Sequence, residues 1–467
     1  MIRKFVNRDE EIGWLEEKLG SNDRELLVIY GCRRVGKTEL INHVTQKKVP
    51  DSQSIYFLAD QRGTSSNARR LAKDASEHFD DIPPDVDSFD DCFKYIRERS
   101  HDTELIVVID EFSYLVEKDD SVPSVFQLIW DEILKDTQIS LVLLGSSISM
   151  MEEDVLSYES PLYGRRTGQW RLRPLEFGDS TDFFSDSEYP FDDKIRAYGV
   201  LGGIPAYLEK FDPQRGLFEN IRDEILSKGT FLYEEPEFLL RQELREPSSY
   251  MDILEAMSFG ATTVTEIANS THREAKDMSR YLKKLQSLDL VEKSVPVTAS
   301  QKKKKRGIYE IKDNFFSFWF RFVYPNLDDL ERGSVEMVLD TVREGIDVYT
   351  SRVFEDICRE AVANSSMFDG SSVGSWWYGE NEIDVVGLDE SEASLLLGEC
   401  KWTERQVDAD LLRRLEKKSS EVRWGGEDRD ETFALFSRSG FSRDLRDTAK
   451  ERDDVRLYDL DTLREIL

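Results

Sequence analysis

Leu26-Leu27-Val28-Ile29-Tyr30-Gly31-Cys32-Arg33-Arg34-Val35-Gly36-Lys37-Thr38-Glu39-Leu40-Ile41 carries three signals in one short stretch. The apolar run Leu26–Tyr30 predicts a buried strand. Gly31 to Thr38 matches G-x-x-x-x-G-K-[ST], the phosphate-binding P-loop, and a helical pattern opens at Glu39. Strand, glycine-rich turn and helix are what phosphate binding needs. The glycines let the backbone curl around an anion, and the helix N-terminus adds positive potential. Gly31, Cys32, Arg33, Arg34, Val35, Gly36, Lys37 and Thr38 are therefore the expected nucleotide cradle. Lys37 would reach the β- and γ-phosphates of ATP, and Thr38 would hold Mg2+.

Outward from this stretch, Ser54–Ala59 predicts a second strand, and a helical pattern from Ala68 to Phe79 is broken by Pro83-Pro84. Leu105-Ile106-Val107-Val108-Ile109-Asp110-Glu111 is an apolar run ending in two acids, as in a Walker B segment. Ligands of parallel sheets sit at the carboxyl ends of the strands. Asp110 would meet Mg2+ there, and Glu111 would polarise the attacking water. Ser140–Ser147 predicts a further central strand ending in hydroxyls at the same edge. Ser146 is the candidate to sense the γ-phosphate, with a helix cap as the competing reading. Within Ser160–Gly168, Arg165 or Arg166 has the chemistry of an arginine finger, against a surface salt bridge. Gly202-Gly203-Ile204-Pro205 marks a sharp turn suited to a hinge before a helical lid.

The chain has 467 residues, room for about three domains. The N-terminus lacks an apolar signal segment, and no run of about 18 apolar residues occurs, so no membrane partner and a cytoplasmic location are expected. Cys32, Cys92, Cys358 and Cys400 are scattered without a C-x-x-C pair, which gives neither a zinc site nor a disulfide framework. The net charge is -31, with the acids spread along the whole chain. Such a balance ordinarily argues against nucleic acid. Abundant aromatics argue against disorder. A salt-adapted source reconciles the two, because strong salt shortens the Debye length to about 3 Å and screens self-repulsion.

From Tyr250 the pattern becomes helix, short helix (Val264–Ala268), third helix (Ala275–Leu288) and then a strand from Leu288 that would start a hairpin. This is the winged helix-turn-helix plan. Lys276, Arg280, Lys283 and Lys284 fall on the third helix, and Lys302, Lys303, Lys304, Lys305 and Arg306 on the wing. Residues 250–312 hold 12 Lys and Arg against 8 Asp and Glu, a local balance of +4 in an acidic chain. These side chains would contact DNA phosphates. A solvated loop, or a module for protein contacts, is the alternative. The aromatic run Asn314–Val323 predicts an inter-domain core.

Near the C-terminus, Glu382–Leu388 and Leu395–Trp402 predict a hairpin. If Leu388 and Leu395 close it, Asp384 lies opposite Glu399, with Cβ atoms about 5 Å apart. Lys401 then shares their face. Two carboxylates can hold Mg2+, and a lysine can position water and stabilise a pentavalent phosphate. The pattern suits metal-assisted phosphodiester hydrolysis. Glu355, on a preceding helix, would add a carboxylate. Charged side chains on an ordinary hairpin are the alternative.

Together these segments resemble one family: archaeal P-loop ATPases of the STAND and AAA-like group with a C-terminal restriction-endonuclease-like domain. The resemblance runs through Phe5–Glu10, Gly31–Thr38, Ile109–Glu111, Ser160–Gly168, Gly202–Pro205 and Tyr233–Phe238. Glu382-Ile383-Asp384 and Gly398-Glu399-Cys400-Lys401-Trp402 resemble the PD-(D/E)XK nuclease motif, without the Pro that usually precedes its first Asp. The resemblance implies ATP binding and hydrolysis, a winged helix and a nuclease-like fold, and with the charge it suggests a haloarchaeal source. The expected architecture is α/β. It comprises a P-loop ATPase core (1–170), a helical lid (171–245), a winged helix with aromatic connector (246–325) and a nuclease-like domain (326–467). The expected function is an ATPase that engages and cleaves DNA. A signalling ATPase with a non-catalytic C-terminal module is the alternative, and a homo-oligomer stays open.

Overall fold

The computed structural model describes residues 5–21, 23–48, 53–101, 103–185, 189–299, 307–426 and 428–467. Two units form. One runs to Pro174 and includes Ile204–Ala206, and the other comprises Leu175–Gly203 and Tyr207–Leu467. The segments expected as winged helix and nuclease-like domain fall in the second, as does the expected lid apart from residues 171–174 and 204–206.

The first unit is built on β1 (Leu26–Tyr30), β2 (Ser54–Leu58), β3 (Leu105–Asp110), β4 (Ile139–Gly145) and β5 (Gly168–Arg171). They form one parallel sheet in the order β2-β3-β4-β1-β5. Every residue of β1, β3 and β4 is buried, which accounts for their unbroken apolar runs. Alternate side chains serve opposite faces. Leu27 and Ile29 join Leu40, Ile41 and Val44 of α2 (Lys37–Lys48), with Leu15 of α1 (Asp9–Leu19). Leu26 and Val28 join Leu71 of α3 (Thr64–His78) and Phe93 of α4 (Phe89–Ser100). Tyr30, Asp110 and Gly145 all end their strands at one edge of the sheet.

In the second unit, helices Pro247–Ser258, Val264–Ser270 and Ala275–Ser287 lead into an antiparallel hairpin of β6 (Val291–Ser294) and β7 (Ile308–Ile311). Thr263 and Glu266 form a reciprocal capping box that starts the middle helix. The aromatic run buries Phe315, Phe316, Phe318, Trp319 and Phe320 almost completely.

A long helix, Val335–Asn364, then precedes a mixed sheet of β8 (Ser372–Tyr378), β9 (Asn381–Asp389), β10 (Ser394–Lys401), β11 (Asp430–Ser437) and β12 (Val455–Asp459). Its order is β12-β11-β10-β9-β8. The pairs β8/β9 and β9/β10 are antiparallel, whereas β10/β11 and β11/β12 are parallel. One face packs on the long helix through Leu396, Cys400 and Trp402. The other packs on helix Ala409–Ser419 through Leu395, Leu397, Leu411 and Leu415.

Candidate functional sites

In the first unit, the turn from β1 into α2 needs two left-handed residues, Arg34 (φ 66°) and Gly36 (φ 97°). Gly31 is required for a different reason: a Cβ there would lie 2.2 Å from the Leu172 carbonyl oxygen. The Lys37 ammonium is buried and donates to the carbonyls of Gly31 and Cys32, each at 2.9 Å. Burial lowers its pKa, opposed by Glu111, Cys32 and Asp110. Thr38 Oγ1 donates to Asp110 Oδ2 at 2.5 Å, so the two expected magnesium ligands, one from α2 and one from β3, are in contact. Glu111 follows at φ 53°, and Ser146 Oγ donates to its Oε2 at 2.5 Å. The hydroxyl proposed from sequence as a phosphate sensor thus holds the proposed catalytic carboxylate.

Two members of this site escaped the sequence analysis. Tyr56 OH donates to Asp110 Oδ2 at 2.6 Å, and burial together with that bond raises the phenol pKa. Its signal was its place in β2, where Ile55 and Phe57 point into the core and leave Tyr56 on the other face. Arg8 is buried. Its guanidinium donates to Arg173 O (2.7 Å) and Val35 O (3.3 Å) and pairs with Glu11 at 3.0 Å. It therefore ties the N-terminal segment to the P-loop and to the chain leaving β5.

Arg165, expected as a phosphate contact, is not brought to the P-loop. Thr167 N donates to Leu26 O and Gly168 pairs with Leu27. Arg165 therefore precedes the amino end of β5, while the P-loop leaves the carboxyl end of β1. Strands that run parallel put these at opposite edges. Arg165 pairs there with Asp131 (2.9 Å), and Arg166 donates to Leu156 O (3.0 Å).

In the second unit, Met278, Tyr281, Leu282 and Leu285 bury one side of helix Ala275–Ser287. Lys276, Arg280 and Lys283 stand exposed on the other, with Lys284 half-buried. Lys276 pairs with Glu274, and Arg280 donates to Tyr281 OH at 3.2 Å. Lys302, Lys303, Lys304, Lys305 and Arg306 lie outside the described residues.

The C-terminal hairpin has the expected register, Leu395 against Leu388, and its last ladder pair is Gly398 with Val385. One step further along stand Glu399 and Asp384. The opposite edge of β9 breaks register there. Gly374 pairs with Val386 but Trp376 with Ile383, so β9 carries one residue more than β8 around Asp384. Such a bulge re-aims a side chain. Asp384 Oδ2 accepts the Cys400 amide at 2.8 Å, and Arg359 of the long helix donates to Asp384 O at 2.6 Å. Lys401 Nζ lies 3.1 Å from Glu399 Oε2 and 3.8 Å from Asp384 Oδ2. Burial and then Glu399 push the Asp384 carboxyl up, and burial and then Asp384 push up Glu355 on the long helix. Burial works against the Lys401 charge, but Asp384 and Glu399 outweigh it and raise its pKa. Lys418, at the end of helix Ala409–Ser419, also pairs with Glu399 and donates to Glu382 O at 2.6 Å. Only the packing of that helix on the sheet reveals Lys418.

Among the described residues, no group of three or more His, Cys, Asp and Glu side chains is gathered for a metal. Asp384 and Glu399 form a pair, and two carboxylates suit Mg2+, which is commonly bound by one or two together with substrate phosphates. Thr38 and Asp110 suit it likewise. Among the described residues, no helix is long and apolar enough to cross a membrane.

Comparison with known proteins places these sites in a family. Residues 5–211 match the family described as an ATPase domain predominantly from Archaea, and residues 319–417 match archaeal and bacterial proteins of unknown function. The protein MJECL04 of Methanocaldococcus jannaschii is 36% identical over 465 residues, 98% of this chain and 99% of that one. Among solved structures, the Walker-type ATPase of Pyrococcus abyssi is 19% identical, over 68% of this chain and 96% of its own, with a TM-score of 0.49. The Aeropyrum pernix ORC2 protein in its ADPNP-ADP complexes is 12% identical, over 73% and 96%, with a TM-score of 0.44. The domain match covers the whole P-loop unit and supports ATP hydrolysis, and the Methanocaldococcus relative matches end to end: the chain belongs to this family of predominantly archaeal ATPases.

Proposed function

We propose that this protein is an ATP-hydrolysing enzyme that binds DNA through a winged helix (the helices and hairpin of residues 247–311). In this proposal it cleaves DNA at a PD-(D/E)XK-type site on β9 and β10. The proposed domains keep the boundaries read from the sequence, with the lid and the nuclease-like domain on either side of the winged helix. The excess of acidic residues fits a salt-adapted protein that nevertheless keeps a local excess of basic side chains in residues 250–312.

In the ATPase unit, Lys37 would hold the β- and γ-phosphates, and Thr38 and Asp110 would hold Mg2+, which would neutralise developing charge on the phosphates. Tyr56 and the contact with Thr38 fix the Asp110 carboxylate. Glu111 orients the attacking water, and Ser146 keeps Glu111 in place. In the nuclease-like domain, a divalent cation on Asp384 and Glu399 would polarise the scissile phosphate. Lys401 positions the water and stabilises the added negative charge. ATP turnover controls when this site acts.

The observation that carries the nuclease reading is the bulge at Asp384, which sets its carboxylate beside Lys401 where Asp384 and Glu399 both stand one step beyond the last ladder pair of the hairpin. Nicking of supercoiled plasmid by the full chain in high KCl tests it, with Mg2+ and with Mn2+. Wild type should nick and Asp384→Ala should not, with ATPase activity retained. Absence of nicking with either metal overturns the cleavage reading. It would favour the second reading, a regulatory ATPase with a non-catalytic C-terminal domain. The two lysines on Glu399 and the missing Pro before Asp384 are the features that favour that reading.

A further inference from the structure

Glu399 is the most enclosed acid of the C-terminal site, with its side chain 5% exposed. Both of its oxygens are engaged by ammonium groups: Oε2 by Lys401 and Oε1 by Lys418. Lys401 belongs to the motif on β10. Lys418 comes from a separate element, the last turn of helix Ala409–Ser419, which Leu411, Leu412 and Leu415 anchor to the sheet. Its second contact, the Glu382 carbonyl at 2.6 Å, holds the ammonium over the same end of the hairpin.

The formal charges decide what this does. Asp384 and Glu399 contribute two negative charges, and Lys401 and Lys418 two positive ones. Each lysine cancels one carboxylate charge, so a dication gains far less while Lys418 is seated than after it leaves, and it must also displace an ammonium from the oxygen it needs. Helix termini fray readily, and a lysine stem has four rotatable bonds, so Lys418 can leave without disturbing the fold.

We infer that Lys418 is a built-in counter-cation that competes with the divalent metal for Glu399 and so gates loading of the nuclease-like site. The inference rests on the metal-site reading given above. Lys418 is a gating residue here, and the chemistry stays with Asp384, Glu399 and Lys401. While Lys418 is seated the site is closed to metal. Its departure exposes Glu399 Oε1 and leaves the net charge that a dication requires.

Mn2+ binding to the full chain, without nucleotide or DNA and in high KCl, tests this by titration calorimetry and by the free-Mn2+ spin-resonance signal. The Glu399→Gln variant defines the background from other surface acids. Lys418→Ala, and Lys418→Met, which keeps the apolar stem, should bind Mn2+ at least tenfold more tightly than wild type. Lys418→Arg should stay near wild type. Lys417→Ala is the control for overall charge, because Lys417 is exposed and adjacent. It should change affinity less than twofold. If wild type and both Lys418 variants bind equally and Glu399→Gln abolishes binding, the metal site stands and the gate is refuted. Equal tightening by Lys417→Ala also refutes it. If no Glu399-dependent binding appears in any variant, the metal-site reading and the gate fall together.

Discussion

Replacing Arg8 with Ala should weaken both the ATPase unit and its hold on nucleotide, by amounts that the contacts define. The guanidinium has three partners: Arg173 O at 2.7 Å, Val35 O at 3.3 Å and the Glu11 carboxylate at 3.0 Å. A hydrogen bond from a charged donor contributes about 1.5–3 kcal/mol, and a poorly solvated acid left without its partner adds to the cost. The Glu11 side chain is 14% exposed, so water restores part of its solvation. The net loss should be about 3 kcal/mol, or a fall of about 6–12 °C in the melting temperature for a unit of this size. The nucleotide effect comes from Val35 alone, because that residue lies inside the P-loop. At 3.3 Å this bond is long and contributes about 1 kcal/mol, so the Kd for ADP should rise roughly fivefold. Arg8→Lys keeps the charge but has one nitrogen where Arg8 uses Nη2 for the two carbonyls and Nη1 for Glu11, and should fall between. Titration calorimetry with Mg·ADP and scanning calorimetry read the two effects separately. Unchanged ADP affinity in a destabilised Arg8→Ala would show that the clamp does not order the P-loop. A protein unchanged in both would refute the energetic argument itself.

Three further outcomes follow from the geometry. Ser146→Ala removes the donor to Glu111 and should lower the ATPase kcat about tenfold with little change in nucleotide affinity; a loss confined to affinity would return Ser146 to phosphate sensing. Replacing Lys276, Arg280 and Lys283 with Ala should weaken duplex binding and lower the slope of log affinity against log salt by about 2–3, measured by fluorescence anisotropy, and an unchanged slope removes this helix from the interface. Burial pushes the Glu360 carboxyl from 4.5 up to about 7, with the amides of Phe177 and Gly178 opposing and Glu176 adding to the rise. The folded chain then holds a proton that the unfolded chain has released, so stability should fall as pH rises from 4.5 to about 7 and level off above. Glu360→Gln cannot ionise and should flatten that part of the thermal-unfolding profile; an identical profile refutes the assignment.

Much of the fold is legible in the sequence. The P-loop strand, Walker B strand and Ser140 strand were recognisable because a parallel sheet buried on both faces demands unbroken apolar runs, and the candidate residues lie at or shortly after the carboxyl ends of those strands. The hairpin register was legible because a mostly polar stretch runs from Asp389 to Ser394, which leaves Leu388 and Leu395 to close it. Arg165 shows where such reasoning stops. A Gly-Arg-Arg sequence has the chemistry of a phosphate contact at either edge of a sheet, and only the direction of β5 beside β1 says which edge it occupies.

Local patterns were legible along the chain: the P-loop, the acids at the end of β3, and the hairpin that carries Asp384, Glu399 and Lys401. Their local spacing is dictated by strand and helix periodicity. The remaining features join residues far apart in sequence. Arg8 meets Val35 and Arg173, Tyr56 meets Asp110, Ser146 meets Glu111, and Lys418 meets Glu399. No local pattern encodes these contacts, because each depends on how separate elements pack and where a strand bulges. Hydrophobic burial sets that packing, and the polar partners are brought together as a consequence.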